Sequence, residues 1–390
     1  MIFGSYKYMI LIQKFLISFL FLFSANLFAF KATEHTRISL LTASQGPELY
    51  TIFGHNAIRI QDTSQKSDTF FNYGTFNFRT PNFYMKFARG HLLYQLSVED
   101  SMSFMYVYVI NGQYVKEQVF DLTLAQKQKI CDFIENNYKP ENRYYKYDFY
   151  YDNCATRLRD IIYLAYDRNL VFPDSVVKQK PRKIRQLLDP YMDAFPWTHL
   201  GIDLVMGLPA DRITDISQEM FLPEYMLNHL SRAKYNGKPI VSQTLELLPE
   251  RRVRDAGPWY LQPLAILWTF FLLSLLSFLY LKKLLPVLSK TWFTIWGLLG
   301  ILIGFMWFFT DHQATKLNLN FFWAFPLHLL VWFPESKFRR QYFKYAVLLI
   351  SLIVVLWILS IYPQGINPAY LPVWGTMIVL GWNYGFMKKS

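Results

Sequence analysis

Residues 144–165 read YYKYDFYYDNCATRLRDIIYLA, an aromatic stretch that runs into an amphipathic helix. Leu158, Ile161, Ile162 and Ala165 recur at helical spacing, which predicts a helix over 154–166 with one buried stripe. Cys154 then stands in the first turn, where N–H groups lack partners inside the helix and the dipole pulls a thiol's pKa below its usual ~8.5. Upstream, Thr123 is suited to cap a second helix over 124–137, whose apolar face carries Leu124, Ile130, Phe133 and Ile134. Before that helix the period changes from 3.6 to 2. Segments 38–42, 56–62, 69–73, 92–98 and 116–122 read as short strands bounded by Gly, Pro or polar turns. The aromatic run 144–151 reads as core and sheet edge, and 170–257 as a looser helical part.

The rest of the chain has a different character. Of 390 residues, 53% are hydrophobic, 19% aromatic and only 17% charged. A soluble globular chain carries ~25% charged residues, so the composition excludes a disordered chain, a disulfide scaffold and an ordinary cytosolic globule. The excess is local, since ten of the eleven Trp follow position 258. Five candidate spans follow, at 259–281, 292–310, 319–333, 345–361 and 370–386, the third short enough to be re-entrant. One set of connections carries Lys282, Lys283, Lys290, Lys337, Arg339, Arg340, Lys344, Lys388 and Lys389, while the alternate set carries Lys316 alone. The positive-inside rule therefore places 30–257 and the 311–318 loop outside. Residues 1–29, with Lys7, Lys14, an apolar run over 15–23 and Ala29, read as a signal peptide or N-terminal anchor and agree with export. Arg251, Arg252 and Arg254 sit just before the first span and read as snorkelling toward lipid phosphates. The net charge of +12 is thus largely topological, and no nucleic-acid partner is inferred. The expected organisation is an α+β exported domain over 30–257 and an all-α transmembrane domain of about five helices over 258–390.

Chemistry narrows to few residues. Cys131 falls on the apolar face of its helix and reads as a small core residue. For Cys154 three readings stand: a nucleophile, a disulfide partner for Cys131, or an inert thiol. His55, directly after Gly54 at the mouth of a strand, reads either as a structural strand-end residue or as the base that a nucleophilic cysteine needs. No zinc-ligand spacing, phosphate-binding Gly loop or paired-carboxylate signature is present, so neither metal nor nucleotide is expected.

Four ordered blocks carry a resemblance: GHNAIRI at 54–60, FNYGTFNF at 71–78, YDFYYDNCATRLRD at 147–160 and DHQATKLNLNFFWAFPL at 311–327. Together they resemble the Lnb family of bacterial lipoprotein N-acyltransferases. The resemblance implies a circularly permuted papain-like exported domain, related to the lecithin:retinol acyltransferase group, on a multispan bundle in the bacterial inner membrane. It implies transfer of an acyl chain from a membrane phospholipid to the α-amine of the lipid-modified N-terminal cysteine of an apolipoprotein, with Cys154 as nucleophile and His55 as base. The third, orienting group is not fixed by the resemblance; Asn72 on the next strand is the preferred candidate, while His91, after Gly90, reads equally as a surface residue. Asn153 is a candidate oxyanion donor beside the Cys154 N–H. Moving a ~16-carbon chain into water would cost on the order of 12 kcal/mol, so the thiol is expected at the bilayer surface. His312, Asn318 and Asn320, polar groups at that boundary, are candidates for the substrate or membrane side of the site, against helix–helix or headgroup contact. A membrane-tethered cysteine peptidase or amidase, a phospholipid acyl hydrolase and a non-enzymatic envelope sensor or assembly factor remain as alternatives.

Overall fold

The structure, a computed structural model, describes residues 31–177, 180–252 and 255–387. The expected signal segment, Arg254, Lys388 and Lys389 lie outside the described residues. In chain order the first half runs β1 (Thr36–Ala43), β2 (His55–Asp62), β3 (Ser67–Thr75), α1 (Phe83–Arg89), β4 (Leu93–Glu99), α2 (Ser101–Asn111), β5 (Val115–Phe120), α3 (Leu124–Tyr138), β6 (Tyr144–Lys146) and α4 (Cys154–Ala165). All five expected strands and both expected helices are present. Thr123 caps α3 by accepting from the Gln126 N–H, with the Gln126 side chain returning the bond.

The later segment holds α5 (Ile184–Met192), α6 (Pro196–Val205), α7 (Pro223–Leu230) and, against expectation, a strand, β7 (Val241–Leu248). That strand returns to pair with β5, so 170–257 is not a purely helical part. In its sequence, VSQTLELL, Ser242, Gln243, Thr244 and Glu246 face water while Val241, Leu245, Leu247 and Leu248 are half-buried, as suits an edge strand. The result is an antiparallel seven-stranded sheet in the order β6-β4-β3-β2-β1-β5-β7.

Strand alternation gives the sheet two apolar faces. Ile38, Leu40, Ile58, Ile60, Phe71 and Leu96 pack against the stripes of α3 and α4. Leu158, Ile161 and Ile162 of α4 are at most 1% exposed, and each large side chain so buried contributes ~1.5–3 kcal/mol. The opposite face, with Leu41, Ala57 and Phe70, receives Phe104 and Tyr108 of α2.

The C-terminal region is helical: α8 (Pro263–Leu279), α9 (Leu285–Phe308), α10 (Lys337–Ile358) and α11 (Tyr370–Gly385). Among the described residues α9 and α10 are long and apolar enough to cross a membrane. Both start several residues before the apolar runs do, because Pro286 and Ser336 are good helix starters ahead of the lysines and arginines that follow. The third expected span is instead one α turn (Asn320–Trp323) and a 3-10 stretch (Pro326–Trp332) lying against α9.

The two regions meet through buried polar groups. Asn318 Nδ2 donates to the Leu204 carbonyl (2.8 Å), and Asn320 Nδ2 to the carbonyls of Leu204 (3.0 Å) and Asp203 (3.2 Å), which completes the C-terminal end of α6. Arg185 joins Asp203 (2.6 Å) and Asp211 (3.1 Å), and Asp203 also accepts from Asn367 (2.9 Å). The Gly207 N–H donates to Ala314 O (2.9 Å), and a Cβ there would run into the Lys316 carbonyl.

Candidate active site

The candidate site forms where the N-terminus of α4 meets the ends of β2 and β3. Asn153 holds that terminus: its Oδ1 accepts from the Thr156 N–H (2.8 Å), and Thr156 Oγ1 accepts from the Asn153 N–H (2.7 Å). Both amide hydrogens of Asn153 are also committed, to the carbonyls of Phe149 and Phe221 (2.9 Å each). This corrects one expectation, because an amide spent in this way has no donor left for an oxyanion. The Cys154 N–H, in the first turn, has no acceptor within the helix, and the N–H groups of Asn56 and Ala155 also point at the sulfur.

Cys154 is 8% exposed, and its backbone packs on Gly74. Gly74 has φ +84°, and a Cβ added there would lie 3.4 Å from the Cys154 Cβ. His55 opens β2 directly after Gly54, whose φ of +77° and close approach to Ala43 O suit only glycine. The His55 Nε2 lies 2.5 Å from Asn72 Oδ1, and Asn72 Nδ2 donates to Glu99 Oε1 (3.0 Å). Since the Asn72 amide nitrogen is turned to Glu99, its oxygen accepts from the imidazole and Nε2 carries the hydrogen. The other ring nitrogen, Nδ1, is left for the Cys154 thiol, with which His55 shares a hydrogen bond. Ser97 Oγ also donates to Glu99 Oε1 (2.9 Å), which fixes the far end of the chain.

Electrostatics favour the ion pair. Burial pulls the His55 pKa down, but the neighbouring sulfur, hydrogen bonds to Cys154 and Asn72, and the Glu99 charge together carry it above the ordinary imidazole value. Burial likewise pushes the Cys154 thiol up, and it is outweighed by the His55 charge and hydrogen bond and by the N–H groups of Asn56 and Ala155, so the net shift is downward. Cys131 shows the contrast: burial drives its thiol up to about 12. Both cysteines are free, so the disulfide alternative does not describe this structure.

The structure brings His55, Asn72 and Cys154 together and leaves the other candidates elsewhere. His312 Nε2 donates to Phe87 O (3.1 Å) at the junction between α1 and the loop after α9. Asn318 and Asn320, both 0% exposed, are spent on the α6 terminus and on Gln364 and Trp323. Glu99 is the site residue that sequence reading missed. A signal existed, since Gln95, Ser97 and Glu99 put three polar groups at alternate positions of one strand, beside the strand carrying Asn72.

Two family models match the chain: the Lnb N-terminal periplasmic domain over residues 26–189 and the Lnb transmembrane domain over residues 255–390. No curated protein matches, and no solved structure matches. The first match contains His55, Asn72, Glu99 and Cys154, and the second contains the four long C-terminal helices. With both models matched in this order, the chain belongs to the Lnb family, as a membrane protein with an N-terminal periplasmic part.

Proposed function

We propose that the protein is a lipoprotein N-acyltransferase working through a thioester on Cys154. The observation that carries the reading is the chain Cys154–His55–Asn72–Glu99, in which a lowered thiol faces a raised imidazole held by an amide and a carboxylate. In this reading the exported domain spans 30–257 and is papain-like in permuted order, the histidine strand preceding the cysteine helix. Residues 258–390 form the bundle that holds it at the outer face of the inner membrane, with the 320–332 segment re-entrant.

The reaction follows in two halves. The Cys154 thiolate attacks the ester carbonyl of a membrane phospholipid, and the resulting oxyanion is met by the N–H of Cys154. As the tetrahedral species collapses, the His55 imidazolium gives its proton to the departing glycerol oxygen, releasing a lysophospholipid and leaving the acyl thioester. The α-amine of the lipid-modified cysteine of an apolipoprotein then attacks the thioester, His55 takes the amine proton, and the thiolate leaves as the amide forms. A free amine competes with water only where water is scarce, and Cys154 is buried.

Purified protein incubated with phospholipid and a diacylated lipopeptide is expected to yield a triacylated product by mass spectrometry. Release of free fatty acid or of cleaved peptide alone would replace the transferase by a hydrolase or peptidase. Cys154→Ser is expected to abolish the product and His55→Ala to lower the rate ~10²–10⁴-fold, with Cys131→Ser retaining it.

A further inference from the structure

A cavity of about 480 Å³ opens between α1, β4 and the start of β6, beside the site rather than in it. Lys86, His91 and Arg143 line it, with Asn77, Thr80 and Gln95 as neutral polar groups, and no carboxylate is among its lining residues. Lys86 and Arg143 bring two positive charges to one hollow and His91 adds a ring N–H donor, so the arrangement suits an anion that takes several donors at once. Arg143 is the most fixed of them. Its guanidinium lies over the rings of Tyr138 (5.1 Å) and Tyr144 (5.4 Å), and its Nε is buried with no hydrogen-bond partner among the described residues.

Two further observations identify the anion. The first is depth. The Asp311 N–H donates to Arg89 O (2.9 Å), and Asp311 also lies 3.5 Å from His91 and 3.1 Å from Lys146, so the cavity is fastened to residues just beyond the outer end of α9. In the reading proposed above, with α9 crossing the membrane, that is the level of lipid headgroups. The second is an apolar path to the thiol. Phe76, on the cavity wall, meets the Tyr94 ring (5.2 Å), and Tyr94 stacks on Tyr147 (4.4 Å). Tyr147 and Cys154 then flank the same face of Gly74. Outward from Phe76 the rings continue through Phe78 and Phe83 into α1, where Tyr84 (83% exposed) and Met85 (59% exposed) face solvent.

We propose that this cavity binds the phosphate of the donor glycerophospholipid, through Lys86, His91 and Arg143, while the row Phe76–Tyr94–Tyr147 leads its ester toward Cys154. The inference rests on the acyl-transfer reading and deepens it by naming what selects the donor. The acceptor, a diacylglyceryl cysteine, carries no phosphate, so the cavity distinguishes the first half-reaction from the second. Lys86 and Arg143 are positioning and specificity residues, distant from the bond that breaks.

The test uses full-length Cys154→Ser protein in neutral detergent, titrated with dihexanoyl-phosphatidylethanolamine, with dihexanoylglycerol and with inorganic phosphate. Lys86→Gln and Arg143→Gln are each expected to weaken phospholipid binding about tenfold or more, Lys86→Arg to retain it, and dihexanoylglycerol binding to stay the same in all variants. Inorganic phosphate is expected to compete with the phospholipid. Equal losses for the phosphate-free lipid, or phosphate binding without competition, would overturn the proposal. On the active background, Lys86→Gln is expected to raise KM for phospholipid with kcat retained, and to leave acylation of Cys154 by p-nitrophenyl hexanoate untouched. If the unmodified protein is not acylated on Cys154 by that soluble ester, it is the catalytic reading that fails, and the binding titrations still decide the phosphate site.

Discussion

At Glu99 one carboxylate serves a pair of residues it does not touch. Through Asn72 it orients the ring of His55, and its charge helps hold the imidazole protonated. In the thiolate–imidazolium reading, activity is lost at acid pH as the thiolate takes a proton and at alkaline pH as the imidazolium gives one up. Glu99→Gln keeps a partner for Asn72 but removes the charge, so the raised His55 value falls. The alkaline limb of the kcat/KM profile is therefore expected to move to lower pH, with the acid limb less affected. An unchanged alkaline limb would mean that Glu99 only props Asn72. Cys154 and His55 were legible because each follows a local signal, a helix start and a glycine at a strand mouth. The role of Asn153 was not, because what consumes its amide is the Phe221 carbonyl, 68 positions away in the chain.

Helix α4 depends on that consumption. Asn153→Ala removes the cap and leaves two buried carbonyls without their donor, with an expected cost of about 2–4 kcal/mol, read as a lower Tm. Asn153→Asp keeps the cap acceptor but sets a buried carboxylate oxygen against the Phe149 and Phe221 carbonyls, so it is expected to lower Tm at least as much as Asn153→Ala. Helices α1 and α2 show why some elements escaped the sequence. In α2 Met102, Tyr106, Val109 and Ile110 are exposed, so the polar–apolar contrast that reveals a helix is missing. Strand β7 was hidden for another reason, since an edge strand with Ser242, Gln243, Thr244 and Glu246 looks like a loop until β5 supplies its partner.

Across the whole molecule, Arg185 is the joint most exposed to damage by a single change. It neutralises Asp203 and Asp211, all three are nearly inaccessible, and Asp203 reaches Asn367 in the C-terminal region. Arg185→Leu removes the shared guanidinium, leaving Asp203 to His199 and Asn367 and Asp211 to Lys183 and the Gly365 N–H, and is expected to destabilise the protein by about 3 kcal/mol, measured by thermal unfolding of the full chain in detergent. A loss below about 1 kcal/mol would show that water reaches the junction. Composition and loop charge made the division into two regions legible. They could not show how the regions are joined, because Asp203, Asn318, Gln364 and Asn367 are unremarkable polar residues until the fold puts them together.

In the acyl-transfer reading, the fastening of α1 to residues 311–312 would make bilayer thickness a mechanical input to the chemistry. The apolar run of α9, over 292–308, is ~26 Å long against a hydrocarbon layer of ~30 Å, so a crossing by α9 leaves it slightly short of the layer it spans. A thinner sheet matches that run and a thicker one draws its ends inward, and movement at its outer end would be handed to α1 through the Arg89 carbonyl. Protein reconstituted in nanodiscs of graded acyl-chain length is expected to show a minimum in KM for phospholipid at one thickness, while turnover of p-nitrophenyl hexanoate stays flat. The lipid that supplies the acyl chain would then also set, through its length, how well it is gripped.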